Sequence, residues 1–271
     1  MNGASREALA AARERLDALT DSTSVDAGSL ADELAAVTAL LHREVSLRRV
    51  LTDPAQAGEA KAELAQRLLG SQIGGATADL VSGMVRSRWS QSRDLVDALE
   101  ELANTAELTA AQQSGALDDV EDELFRFGRI VSSNTGLRAA LTDRKATTAA
   151  KIELLHRLLG GRAAVTTERL VTRLVTAPRG RSLEAGLESL SKLAAERRER
   201  LVAVVTSAVP LSDPQKQRLG AALAKLYGHK MHLNIDVDPE VLGGIRVQVG
   251  DEVINGSIAD RIEDAGRRLA G

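Results

Sequence analysis

The residues whose spacing comes closest to a chemical motif are Gly70-Ser-Gln-Ile-Gly-Gly-Ala-Thr77, with glycines set much like those of a phosphate-binding loop. Such a loop needs lysine directly before its Ser or Thr, because the ammonium reaches the terminal phosphates, and Ala76 stands there instead. The segment reads as a turn between helices. His42, His156, His229 and His232 are the only histidines, and only the last two are close in sequence. Two nitrogen donors without a cysteine or a placed carboxylate are too few for a zinc site. No Gly-x-Ser-x-Gly elbow is present, and Asp and Glu recur at helix-surface spacing rather than as an isolated acid/base pair. Neither catalytic residues nor a metal or cofactor site is expected.

The elements carrying these residues are helices with unusually few aromatic side chains. One Trp, one Tyr and two Phe in 271 residues leave Leu, Val, Ile and Ala to build the cores. Trp89, Phe125 and Phe127 sit among helical residues, where packing in a core or groove is expected. A net charge of -3 with both signs interspersed offers no basic stripe for a phosphate backbone, so nucleic acid is not an expected partner. The absence of cysteine excludes disulfides. No apolar run reaches the length of a membrane span, and Met1-Asn-Gly-Ala-Ser-Arg-Glu lacks the apolar core of a signal peptide. Direct membrane insertion is not expected. For a chain without a secretory signal, the glycosylation pattern Asn255-Gly-Ser257 carries no weight.

The first 200 residues contain a repeat. Leu47-Arg-Arg-Val-Leu-Thr-Asp53 returns ninety positions later as Leu137-Arg-Ala-Ala-Leu-Thr-Asp143. Lys61, Glu63, Leu64, Arg67 and Gly70 return as Lys151, Glu153, Leu154, Arg157 and Gly160, and Asp32-Glu-Leu34 matches Asp122-Glu-Leu124. After a two-residue slip, Leu95, Leu99 and Leu102 align with Leu183, Leu187 and Leu190. Each copy predicts a helix near Leu30 to Leu51 or its counterpart, a second from Pro54 or Arg144 to the glycine at 70 or 160, and two more, the glycines falling where helices end. Thr105 to Gly115 reads as a linker or as a helix shared by both copies. Glu196-Arg-Arg-Glu-Arg200 ends a charged helix, read as an exposed face laced with weak ion pairs, with contact of Arg197, Arg198 and Arg200 to an acidic partner helix as the alternative.

Beyond residue 201 the pattern changes period. Ile245, Val247 and Val249 alternate with Arg246 and Gln248, as in a half-buried strand, and Gly250-Asp251 turns the chain into Glu252-Val253-Ile254 as a hairpin. Gly243-Gly244 suits backbone angles closed to other residues, Asn255-Gly256 makes another turn, and Ser257 with Asp260 reads as a helix cap. The expected order is strand 202–206, helix 213–227, strand 231–236, the hairpin and a last helix 257–269. The fold class is mainly α with a small α/β C-terminal domain: first helical module 1–105, second 106–200, C-terminal domain 201–271.

Asp236-Val-Asp-Pro-Glu-Val-Leu-Gly-Gly-Ile245, Gly250-Asp251 and Gly256-Ser257, preceded by Val202-Ala-Val-Val-Thr-Ser-Ala-Val-Pro-Leu-Ser-Asp-Pro-Gln215, closely resemble the delta subunit family of F-type ATP synthase, relatives of the mitochondrial oligomycin-sensitivity-conferring protein. Asn255 departs from the aspartate usual in the family, a change the turn tolerates. The resemblance covers about residues 110 to 271. It implies a non-catalytic stator subunit of a hetero-oligomeric complex at the cytoplasmic face of the bacterial membrane. Its implied partners are the N-terminal helices of the alpha subunits, which dock on the helical bundle, and the b-type stalk subunits, which meet the C-terminal domain. Pro239, Gly243, Gly244, Gly250, Asp251, Gly256 and Ser257 are carried over as the structural motif of that domain. Arg6-Glu-Ala-Leu-Ala-Ala-Ala-Arg13 resembles the family's first helix, so either copy can be the additional one. The alternative is a free-standing cytoplasmic helical adaptor, which would purify apart from the synthase.

Overall fold

The computed structural model describes residues 1–20, 25–199, 202–227, 231–238, 244–250 and 252–255. They form two compact units, Met1–Ala194 and Ala195–Gly271.

In the first unit the first repeat contributes α1 (Gly3–Thr20), α2 (Ala27–Arg43), α3 (Val45–Thr52), α4 (Gly58–Leu69), α5 (Gly75–Arg86) and α6 (Ser92–Gln113). The second contributes α7 (Leu117–Ser133), α8 (Thr135–Thr142), α9 (Thr148–Leu159), α10 (Val165–Thr176) and α11 (Leu183–Glu199), the last running past the unit boundary. α2 to α5 recur as α7 to α10 with both ends displaced by ninety residues. The same displacement carries α1 to 93–110, inside α6. α6 is therefore the last helix of the first repeat and the counterpart of α1 in the second. The polar stretch from Thr105 lies within that shared helix and is not a linker.

Burial follows the helical period. Leu30, Leu34, Val37 and Leu41 form the inward stripe of α2, and Val120, Leu124, Phe127 and Val131 form that of α7. Asp26 caps α2 by accepting the Ser29 N–H at 2.6 Å, and Asn134 caps α8 through Leu137 at 2.9 Å. The single helix expected from Leu30 to Leu51 is instead two, because the backbone turns out of helical geometry at Glu44 (φ -89°, ψ 78°). Asn134 (φ -120°, ψ 95°) makes the same break in the second repeat. The break swings α3 onto α4 and α6 and buries Leu51 completely while Val50 stays outside.

The second unit is a four-stranded mixed sheet of order β2-β1-β3-β4, formed by β1 (Val202–Ser207), β2 (His232–Val237), β3 (Ile245–Val249) and β4 (Glu252–Asn255). α12 (Asp213–Tyr227) connects β1 to the parallel β2, while β3 runs antiparallel to both β1 and β4. Ala203, Val205, Val247 and Val249 alternate into a core completed by Leu211 and Leu223. β2 lies one residue later than the expected 231–236. The expected final helix 257–269 lies outside the described residues.

Candidate functional site

The phosphate-loop lookalike is the turn between α4 and α5. Gly70 ends α4 by donating its N–H to the Gln66 carbonyl at 2.9 Å, and the Thr77 hydroxyl is given to the carboxylate of Glu33 on α2. Glu33 thus brings its own negative charge to the N-terminus of α5, where an anion would have to sit. The second repeat repeats this arrangement with Glu123, which accepts Thr167 Oγ1 at 2.5 Å and the Ala164 N–H at 2.9 Å.

His156 Nδ1 lies 2.8 Å from Glu168 on an exposed surface, and that hydrogen bond holds the imidazole pKa above its ordinary value. His42 faces a cavity between helices. His229 and the side chain of His232 lie outside the described residues. Trp89 is buried and donates its indole N–H to the Met84 carbonyl at 2.8 Å, and Phe127 is buried too. Phe125 is 59% exposed.

The most heavily bonded place in the first unit is the seam where α10, α11 and the loop before α11 meet α2 and α6. Arg173 binds Asp32 at 2.7 Å and Glu107 at 2.9 Å, and Arg169 binds Glu107 at 2.8 Å and also reaches Asp32. At the other end of α6, Arg179 donates to Glu100 at 2.8 Å, to the Val96 carbonyl at 3.1 Å and to Asp97, while Arg181 holds Glu100 at 2.5 Å. Arg179 is reached by backbone in the left-handed region (φ 51°), followed by Gly180 at φ 83°. Burial pushes its guanidinium below the ordinary value, and Glu100 and Asp97 hold it up. Between these clusters Ala35, Thr38 and Ala39 face Leu170, Leu174 and Leu190 across a cavity of about 290 Å³. Sequence reasoning had no signal for this seam, since its charges sit at ordinary solvated-helix spacing.

The matched positions 79 and 169 carry opposite charge. Arg15 on α1 pairs with Asp79 on α5, whereas Glu107 on α6 pairs with Arg169 on α10, the residue ninety positions after Asp79.

In the second unit Gly244 (φ 89°) and Gly250 (φ 55°) take angles in the left-handed region. The Tyr227 hydroxyl donates to Glu252 at 2.9 Å, tying α12 to β4, and burial with that carboxylate pushes its pKa up to about 12. Pro239, Gly243, Asp251, Gly256 and Ser257 lie outside the described residues. No helix among the described residues is long and apolar enough to cross a membrane.

The family model for the ATP synthase delta (OSCP) subunit matches residues 104–269, from within α6 into the C-terminal unit. The chain belongs to the ATP synthase delta (OSCP) subunit family. The ATP synthase subunit delta of Streptomyces coelicolor is 86% identical over 100% of this chain and 98% of its own length. That of Thermobifida fusca is 49% identical over 100% of both chains, so the long form, first repeat included, occurs there at matching length. A chain of the Toxoplasma gondii mitochondrial ATP synthase hexamer aligns with 62% of this chain and 95% of its own at 21% identity and a TM-score of 0.33, a likeness too low to carry argument. Delta subunits are non-catalytic components of the peripheral stalk of F-type ATP synthase, peripheral to the complex they serve.

Proposed function

We propose that this delta-family chain joins the catalytic head of the ATP synthase to its b-subunit stalk at the cytoplasmic face of the bacterial membrane, and so resists the torque of the rotor. Holding a stationary head requires binding energy and stiffness rather than bond chemistry. The observation that carries this reading is the shared helix α6, clamped at both ends by Arg169 and Arg173 on Glu107 and by Arg179 on Asp97 and Glu100. Two bundles built on one continuous helix and cross-tied by ion pairs transmit load without an interposed flexible linker.

In this reading the modules are 1–105, 106–200 and 201–271. The helical modules take the amphipathic N-terminal helices of alpha subunits in the helix-in-groove mode. The C-terminal module meets the b-type stalk, its backbone shaped by Pro239, Gly243, Gly244, Gly250, Asp251, Gly256 and Ser257. The test is isolation of tagged chain from its native membranes, with mass spectrometry of co-purifying subunits and assay of ATP-driven proton pumping. Alpha, beta and b-type subunits in constant proportion, with pumping lost when the chain is stripped and regained on its return, is the expected result. Recovery of the chain without them would overturn the reading.

A further inference from the structure

A second hollow of the first unit carries charge that the fold leaves unanswered. It lies between α8, the start of α9, the end of α10 and the loop leading into α11, and its volume of about 620 Å³ is within the range of small-molecule sites. Its floor is Leu141, Val175 and Leu183, all buried. Arg138, Arg144, Lys151 and Arg181 line it against a single carboxylate, Glu184. Arg138 binds Glu184 at 3.2 Å and Arg181 holds Glu100 at 2.5 Å, whereas Arg144 and Lys151 have no partner among the described residues.

The first repeat treats the same positions differently. Lys61, the counterpart of Lys151, is buried, and Arg48, the counterpart of Arg138, donates to the Leu41 carbonyl at 3.3 Å. Pro54 stands at the position of Arg144. Met84 and Val85, which match Leu174 and Val175, share one core cluster with Trp89, delivered by the loop between α5 and α6. The loop 177–182 between α10 and α11 carries no aromatic residue, and its Arg179 turns to α6 instead. The second repeat thus lacks the ring, opens an apolar floor and adds a cation at its edge.

From these differences we infer that this hollow binds a nucleoside polyphosphate, with the base on the floor of Leu141 and Leu183 and the phosphates on Arg144 and Lys151. A flat ring buries well against an apolar floor where the other repeat has an indole, and phosphate oxygens answer two unpaired cations at the rim. The Thr135 and Ser182 hydroxyls on the same lining suit a ribose. Ser182 Oγ already accepts the Ala185 N–H at 3.1 Å, which leaves its own proton to donate. A bare phosphate would satisfy the cations and leave the floor unused, and an apolar carboxylate would bring one charge to two free cations. A ligand with both parts answers to the whole hollow. The inference goes beyond the stator reading and does not depend on it.

The experiment titrates the purified full chain with ADP by isothermal calorimetry, with adenosine, inorganic pyrophosphate and polyglutamate as separate probes. ADP is expected to bind at one site, and adenosine and pyrophosphate at least tenfold more weakly. Arg144→Glu and Lys151→Glu each reverse an unpaired side chain, and each is expected to weaken ADP binding at least tenfold with an unchanged Tm. Ala139→Trp, at an exposed position on the lining, fills the hollow without altering charge and should do the same. No binding of ADP to the folded chain, or binding that all three variants leave unchanged, would overturn the site. Pyrophosphate as tight as ADP would overturn the nucleoside in favour of a plain oxyanion, and polyglutamate that binds more tightly than ADP and displaces it would overturn the nucleotide in favour of an acidic peptide. None of these outcomes touches the co-purification that tests the stator role, so the two readings fail separately.

Discussion

Glu123 accepts the hydroxyl of Thr167 at 2.5 Å, and through this pair α7 supplies the N-cap that α10 lacks in its own sequence. Position 164, where a helix would place Ser or Asp, is alanine, and its N–H is received by the same carboxylate at 2.9 Å. Ninety residues earlier Glu33 and Thr77 repeat the bond beside Gly74. Thr77 and Thr167 are almost fully buried, so an unpaired hydroxyl there would cost the desolvation of the group as well as the bond.

Glu123→Ala is therefore expected to destabilise the first unit by about 1–3 kcal/mol, the sum of a lost cap and an orphaned hydroxyl. Thermal unfolding followed by circular dichroism measures it. A loss no larger than that of Asp119→Ala, at an exposed acid one turn earlier on the same helix, would mean that the cross-helix cap contributes nothing.

Gly186 on α11 is a second place where the repeats differ by design of volume. A Cβ there would fall on the side-chain methyl groups of Leu174. The first repeat has Ala98 and the more pliable Met84 in the corresponding places. Gly186→Ala gains about 1 kcal/mol of helix propensity and loses about 1–3 kcal/mol to overpacking, so a net loss is expected. Adding Leu174→Met should recover it. If the double variant melts no higher than the single one, Leu174 is not the obstacle.

The pair His156 and Glu168 makes stability depend on pH near neutrality. The Glu168 hydrogen bond raises the folded pKa of His156 above 6.5, so its contribution is complete below the unfolded value and disappears as pH rises through the folded one. Glu168→Gln should lower Tm at pH 5.5–6 and leave it nearly unchanged at pH 9, both pH values being roughly chosen to bracket the histidine range. Equal losses at both ends would show that the bond does not depend on the charge of the imidazole.

Much of the helical architecture was legible because the duplication doubles every signal. The ninety-residue offset put α4 in register with α9 and α5 with α10, but packing was expected of both Phe125 and Phe127, and only Phe127 joins the inward stripe with Leu124 and Val131 while Phe125 stays 59% exposed. The break at Glu44 was not legible, since neither glycine nor proline marks it and its stabilisation comes from the packing of Leu51. The double use of α6 could have been found by applying the same offset to α1. The seam could not. Asp32, Arg169 and Arg173 are ordinary helix-surface charges until the fold brings positions 32 and 169 together. In the C-terminal unit, alternation predicted β3 and β4 almost to the residue, because a half-buried strand announces itself with period two.

The seam itself yields the sharpest contrast between two acidic residues bound to the same arginines. The side chain of Glu107 is 4% exposed and that of Asp32 58% exposed. Glu107→Ala leaves Arg169 and Arg173 half-buried without their inner anion, which is expected to cost about 2–4 kcal/mol after allowance for partial solvation. Asp32→Ala removes a largely solvated partner and should cost less than about 1 kcal/mol. Asp32 should still be visible in acid. The hydrogen bond from Arg169 holds its carboxyl below the ordinary 3.8, so its stabilisation is complete above that value and is lost as pH falls through the lower folded pKa. Urea unfolding at neutral pH separates the two variants. Below about pH 4 the Asp32→Ala difference should shrink toward zero as the parent's own carboxyl is protonated. If Asp32→Ala proves as damaging as Glu107→Ala at neutral pH, the outer carboxylate rather than the buried one is what holds α10 against the shared helix.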